Sequence, residues 1–123
     1  MSRLRAMRAP LLLAVLPLFL SAALPLRADE FVAGTEDVPL MPGLRPLPNS
    51  DVVFDKPEGR IVEARAEGAV SREKVEAFYA ASLPGLGWKA VGRDVWQRDA
   101  ERLRLDFTGS AGKLAVGFTL SPR

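Results

Sequence analysis

The chemistry open to this chain is narrow. Its 123 residues include no histidine and no cysteine. That removes Ser-His-Asp and Cys-His nucleophile systems, thiol redox chemistry and the usual zinc sites. Paired carboxylates remain: Asp51 with Asp55, and Glu63 with Glu67. Two carboxylates flanking a glycosidic bond can hydrolyse it, one as acid and the other as base or nucleophile. Both pairs lie in stretches that read as solvated strand or turn, where carboxylates are ordinary surface residues. Ser71 reads as a helix cap, not a nucleophile. Gly109-Ser110-Ala111-Gly112-Lys113 has the glycines and lysine of a phosphate loop. It lacks the spacing of such a loop and joins two strands, where a phosphate loop joins a strand to a helix. There is no acidic, glycine-turned loop of the kind that binds calcium. The sequence therefore offers no catalytic, cofactor-binding or metal-binding residue, and no cofactor is expected.

The elements that would position these residues begin at Asp51. Val52 to Asp55 reads as a short strand, and Lys56-Pro57-Glu58-Gly59 as a turn. Arg60 to Glu67 alternates, with Val62, Ala64 and Ala66 on one face and Glu63, Arg65 and Glu67 on the other. That period marks a half-buried strand. Ser71 caps a helix starting at Arg72, with Glu73 in its first turn. Val75, Phe78, Tyr79, Ser82 and Leu83 form its stripe, and Pro84-Gly85 stops it. Trp88 is expected beneath the helix end.

Two further hairpins follow from register. Arg98 facing Glu101 sets Trp96 opposite Leu103. A Gly109–Gly112 loop sets Phe107 opposite Leu114, Leu105 opposite Val116 and Leu103 opposite Phe118. A one-residue slip would turn arginines inward, so the register is strongly specified. The fold expected is α+β, a two-layer sandwich with one helix on an antiparallel sheet of four to five strands (β-β-α-β-β-β).

The other sheet face then carries Arg104, Arg102 and Asp106 opposite Gly117, Thr119 and Ala115, with Phe54, Ile61 and Val95 alongside. This is a shallow, partly apolar strip edged by charges. Arg98, Arg102 and Arg104 read as a solvated group paired with Glu63, Glu67 and Asp106.

Residues 29–50 form a separate stretch before this domain, which spans 51–123. Pro39, Pro42, Pro46 and Pro48 exclude a helix or central strand and favour extended backbone. Yet Val38, Leu40, Met41, Leu44 and Leu47 are interleaved with them, too apolar for a free linker. The segment reads as an arm that packs on its own domain or on a partner, and the strip is its expected seat. Leu40, Met41, Leu44, Arg102 and Arg104 are the candidate partner contacts.

Residues 1–28 have the layout of a secretory signal peptide. Arg3, Arg5 and Arg8 precede an apolar run over 9–26, with cleavage expected after Ala23 or Ala28. Pro10, Pro17 and Pro25 break that run, and it falls just short of the roughly 20 apolar residues of a spanning helix. An uncleaved anchor is the alternative. With no cysteine, a lipidated N-terminus is excluded. The segment holds four of the 17 basic residues; 13 basic then face 15 acidic, so +2 becomes −2. Nucleic-acid binding loses its compositional support.

The run Phe78-Tyr79-Ala-Ala-Ser-Leu83-Pro84-Gly-Leu-Gly87-Trp88 resembles a helix-ending FYxxxLPxxGW pattern in small exported bacterial proteins of uncharacterised function. Trp96-Gln97-Arg98 and the Val38–Leu44 arm are similar to features of the same proteins. The resemblance covers most of residues 37–122. In layout the domain is also loosely similar to the small repeated domains of an accessory lipoprotein of the outer-membrane β-barrel assembly machinery. The resemblance implies a fold and a compartment, and no reaction. The function expected is a periplasmic or secreted non-catalytic module that binds an envelope protein or component. A small carboxylate-dependent hydrolase and a membrane-tethered structural protein are the alternatives. Membrane contact is expected only through an uncleaved residue 9–26 segment.

Overall fold

A computed structural model describes residues 30–123. The expected signal segment and both cleavage points lie outside the described residues.

Strand β3, Gly59–Gly68, organises the sheet. Its alternation buries Val62, Ala64 and Ala66 and leaves Glu63 and Arg65 exposed, as period-two patterning requires. One edge of β3 pairs with β7, Lys113–Pro122. The other edge is shared by β2, Val52–Lys56, and the two-residue β1, Arg45–Pro46. Beyond β7 follow β6 (Glu101–Ser110), β5 (Val95–Arg98) and β4 (Lys89–Gly92). All pairings are antiparallel.

The described residues thus form an α+β fold, with one α-helix and an antiparallel sheet of seven strands. Four to five strands were expected. The additional ones are β1, contributed by the arm, and β4, directly after Trp88. Both are short and lack the alternation that marks a half-buried strand. β4 also carries an irregularity between Ala90 and Gly92.

The β2–β3 hairpin has the expected turn, with Lys56 opposite Gly59 and Phe54 opposite Ile61. Trp96 faces Leu103, also as expected. The β6–β7 hairpin differs. Its loop is Ala111-Gly112, closed by Ser110 and Lys113. Phe107 therefore faces Val116, Leu105 faces Phe118 and Leu103 faces Leu120. A two-residue loop suits the strand twist better than the expected four-residue one. The correction is a shift of two residues, which keeps every side chain on its expected face.

Helix α1, Arg72–Ser82, begins where Ser71 caps it: the Ser71 hydroxyl accepts from the Lys74 N–H at 3.2 Å. Val75, Tyr79 and Leu83 are buried against the sheet, with Phe78 partly so. Tyr79 meets Phe118 edge-on at 5.6 Å between ring centroids. Pro84–Leu86 closes the helix as a short 3-10 turn, and the Trp88 N–H donates back to the Leu83 carbonyl at 3.2 Å. Trp88 is buried there.

The arm completes this core. Val32, Val38, Leu40 and Leu44 are buried with the helix and sheet residues, each such burial stabilising by about 1.5–3 kcal/mol. It is not simply extended. Gly34, at φ 82°, turns the chain so that the Val32 N–H donates to Val38 and the Leu40 N–H to Glu30, both at 2.8 Å. Arg60 donates to the Gly34 carbonyl from β3. Further on, the Leu47 N–H donates to the Arg65 carbonyl at 2.9 Å, anchoring the arm along the sheet edge. Residues 30–50 therefore belong to the same packed unit as 51–123.

Candidate functional site

One face of the sheet is covered by α1 and the arm; the other carries no element among the described residues. Its cross-strand rows follow from the register. Val52 faces Glu63, which faces Thr119, then Arg104, then Val95. Beside that row, Phe54 faces Ile61. On the far side, Arg65 faces Gly117, which faces Asp106. Phe54 is 50% exposed and Val52 40%. The predicted strip thus exists, with Phe54, Ile61 and Val95 on the expected face.

Its filling is corrected. The arm was expected on this face; it packs on the opposite one, where Leu40 meets Val32, Ala64, Ala66 and Phe118 around a small gap. Four aliphatic side chains find a deeper apolar seat beside the helix than the charge-edged strip provides. Leu40 and Leu44, 7% and 5% exposed, are therefore core residues and not free contacts for a partner. Met41 is half-buried. Arg104 is exposed and Arg102 half-buried, both on the open face. Gly117 is also explained differently. The atoms nearest a Cβ there belong to a side chain and not to backbone: the Asp106 carboxylate, 2.6 Å away, folds over the glycine.

β2 adds a second feature. Among the described residues it pairs only with β3, which leaves its outer edge open. All five residues are exposed, and Val53, on the opposite face from Phe54, is 47% so. An exposed edge presents unpaired N–H and C=O groups that invite another strand. Asp51, Asp55, Lys56 and Pro57 flank the apolar run.

The expected carboxylate pairs do not assemble. Glu63 and Glu67 lie four residues apart on β3, about 13 Å at strand rise. Asp51 and Asp55 have the same spacing along β2 and its entry. Glycosidase carboxylates stand about 5–9.5 Å apart. A different pair, which sequence spacing could not reveal, does meet: Glu76 of α1 and Asp94 of the β4–β5 turn. Asp94 takes φ 58°, and its carboxylate and that of Glu76 share the guanidinium groups of Arg72 and Arg93. Burial raises the Asp94 carboxyl first, and the Glu76 contact adds to it. The Asp94 contact and Arg93 hold Glu76 below the usual range. Arg72 reaches Asp94 at 2.9 Å, and Arg93 reaches Glu76 at 3.2 Å. Two carboxylates and two guanidinium groups close on one another, which fastens the helix to the turn.

Arg98 is also reassigned. It was grouped with Arg102 and Arg104, but it faces the arm side. Its guanidinium binds Asp37 at 2.7 and 3.1 Å, donates to the Leu86 carbonyl at 3.0 Å and lies 4.3 Å over Trp88. Arm, 3-10 turn and β5 are latched together through this one side chain.

Between arm and helix lies a groove of about 710 Å³, lined by Pro39 to Pro46, Glu30 and Phe78. Among the described residues, no group of three or more acidic side chains could hold a metal ion, and no helix is long and apolar enough to cross a membrane.

Fold and site define a small antiparallel α+β module whose helix and arm bury one sheet face and, among the described residues, leave the other open. Comparison with models of known protein families, with curated proteins and with solved structures finds no match to this chain.

Proposed function

We propose that the chain is an exported, non-catalytic binding module whose open sheet face receives a protein of the cell envelope. The observation that carries this reading is the bare face itself. Phe54, half exposed, stands beside Ile61 and Val52 in an apolar patch bordered by Glu63, Arg104 and Arg102. Apolar anchors inside a charged rim are the composition of a protein-binding surface. The layering is part of the proposal: a two-layer sandwich has only one face to cover, and this chain covers it with its own arm.

The signal-like layout of residues 1–28 and the resemblance to small exported proteins support the compartment. The thin catalytic inventory favours binding over the carboxylate-hydrolase alternative. The test is retention of an envelope protein by the wild type and by a Phe54→Lys, Arg104→Glu double variant. The reading expects a protein held by the wild type and lost from a double variant with unchanged circular dichroism. Equal retention by both, or glycan turnover lost on a single Glu76→Gln or Asp94→Asn change, contradicts it.

A further inference from the structure

We infer that the open edge of β2 pairs with β2 of a second copy of this chain, antiparallel and centred on Phe54. The inference does not rest on the envelope-binding reading; it concerns the edge of the sheet, where that reading concerns its face.

Register follows from β2's own sequence. Two antiparallel edges related by a two-fold axis must pair a residue with itself at the centre. Centring on Val53 sets Asp51 against Asp55 of the second copy, twice. Centring on Asp55 sets that carboxylate against itself, and centring on Val52 would pair Asp55 and Lys56 with Asn49, at φ 57°, and Pro48, which lie outside the strand. Like charges directly opposite are destabilising. Centring on Phe54 sets Val53 opposite Asp55 and Val52 opposite Lys56, so no like charges face each other.

Hydrogen bonding agrees. Lys56 and Gly59 close a two-residue hairpin, and the closing pair exchanges its hydrogen bonds within the hairpin. By the alternation of antiparallel ladders, Phe54 and Val52 also point their backbone groups inward to β3, and Val53 and Asp55 point theirs outward. In the Phe54-centred register, these are the residues that face each other across the axis. Phe54 then occupies a non-hydrogen-bonded position, where side chains come closest, and the two rings form an aromatic cross-strand pair. Val52 and Phe54 on the open face, and Val53 on the other, each gain a cross-strand neighbour in the joined sheet.

The rest of the β3 edge cannot take part. It is already occupied by β1, whose Pro46 lacks an N–H. A five-residue edge is a small interface, so the dimer is expected to dissociate at about 10–1000 µM. Its formation would lay the two open faces side by side as one continuous surface.

Sedimentation equilibrium on the protein, purified as the cell leaves it, should show monomer mass rising toward twice that value across this range. Val53→Pro removes an outward N–H without touching the β3 ladder and should weaken association by about tenfold or more. Because the chain has no cysteine, single replacements read the register. Under oxidation Phe54→Cys should link two copies, since facing Cα atoms of about 4.5 Å suit a disulfide. Val53→Cys and Lys113→Cys should not. A protein that stays monomeric throughout, association untouched by Val53→Pro, or preferential linking at position 53 each overturns the inference.

Discussion

The hydroxyl of Tyr79 donates to the carbonyl oxygen of Pro39 over 2.7 Å, joining helix and arm across 40 residues of sequence. The Tyr79 hydroxyl oxygen in turn accepts from the Met41 N–H at 3.3 Å. Burial pushes the phenol well above its ordinary pKa, so it stays a donor. Two backbone groups of a proline-broken segment, with no regular ladder, are thus satisfied by one side chain.

Tyr79→Phe keeps the ring against Phe118 and removes only this bridge. It should cost about 1–3 kcal/mol, the range for leaving buried polar groups unpaired. Denaturant unfolding reads the loss. Hydrogen exchange should accelerate more in residues 38–44 than in β6 and β7, because the arm loses its fastening first.

The Asp37–Arg98 latch gives a pH dependence with a definite sign. The Arg98 hydrogen bond holds the Asp37 carboxyl below its ordinary range. The folded state therefore binds that proton less readily than the unfolded chain. The stabilising increment is fully present above the ordinary carboxylate pKa and is lost as pH falls through the depressed one. Asp37→Asn should lower the thermal midpoint near neutrality and flatten the acid side of the stability profile. An unchanged acid limb would show that the latch contributes nothing there.

Two glycines separate a backbone contact from a side-chain contact. A Cβ at Gly68 would lie 2.1 Å from the Gly43 carbonyl oxygen, which is arm backbone. At Gly117 the near atoms are the movable carboxylate of Asp106. Gly68→Ala should therefore destabilise by about 2 kcal/mol or more, in the manner of overpacking. Gly117→Ala should cost under about 1 kcal/mol as Asp106 swings away. Equal costs would mean that the arm does not lie against Gly68 as described.

Much of this architecture was legible from local patterns. The alternation of β3, the Ser71 cap and the Pro84-Gly85 stop each act within one element, and each is where the residue types put it. The face assignment of the strip survived an error of two residues in the β6–β7 pairing, because face depends only on parity. What was not legible depends on contacts distant in sequence. Leu40 and Leu44 carry no periodicity that says which face of the sheet they enter. Gly34, a turn residue between Val32 and Val38, was the available sign that the arm folds back on itself. Arg98 reads like its neighbours Arg102 and Arg104 until Asp37 is brought beside it. The Glu76–Asp94 pair joins a helix to a turn and has no spacing rule at all.

The open sheet face as the docking surface is the claim that most needs a direct test. A photo-crosslinking amino acid at Val95 lies on that face beside Arg104 and away from the β2 edge; the same group at Ala80 lies on exposed helix. Irradiation in living cells should give one discrete adduct with an envelope protein from position 95 and none from position 80. Adducts from position 80 alone, or none from position 95 in folded, abundant protein, would contradict the account.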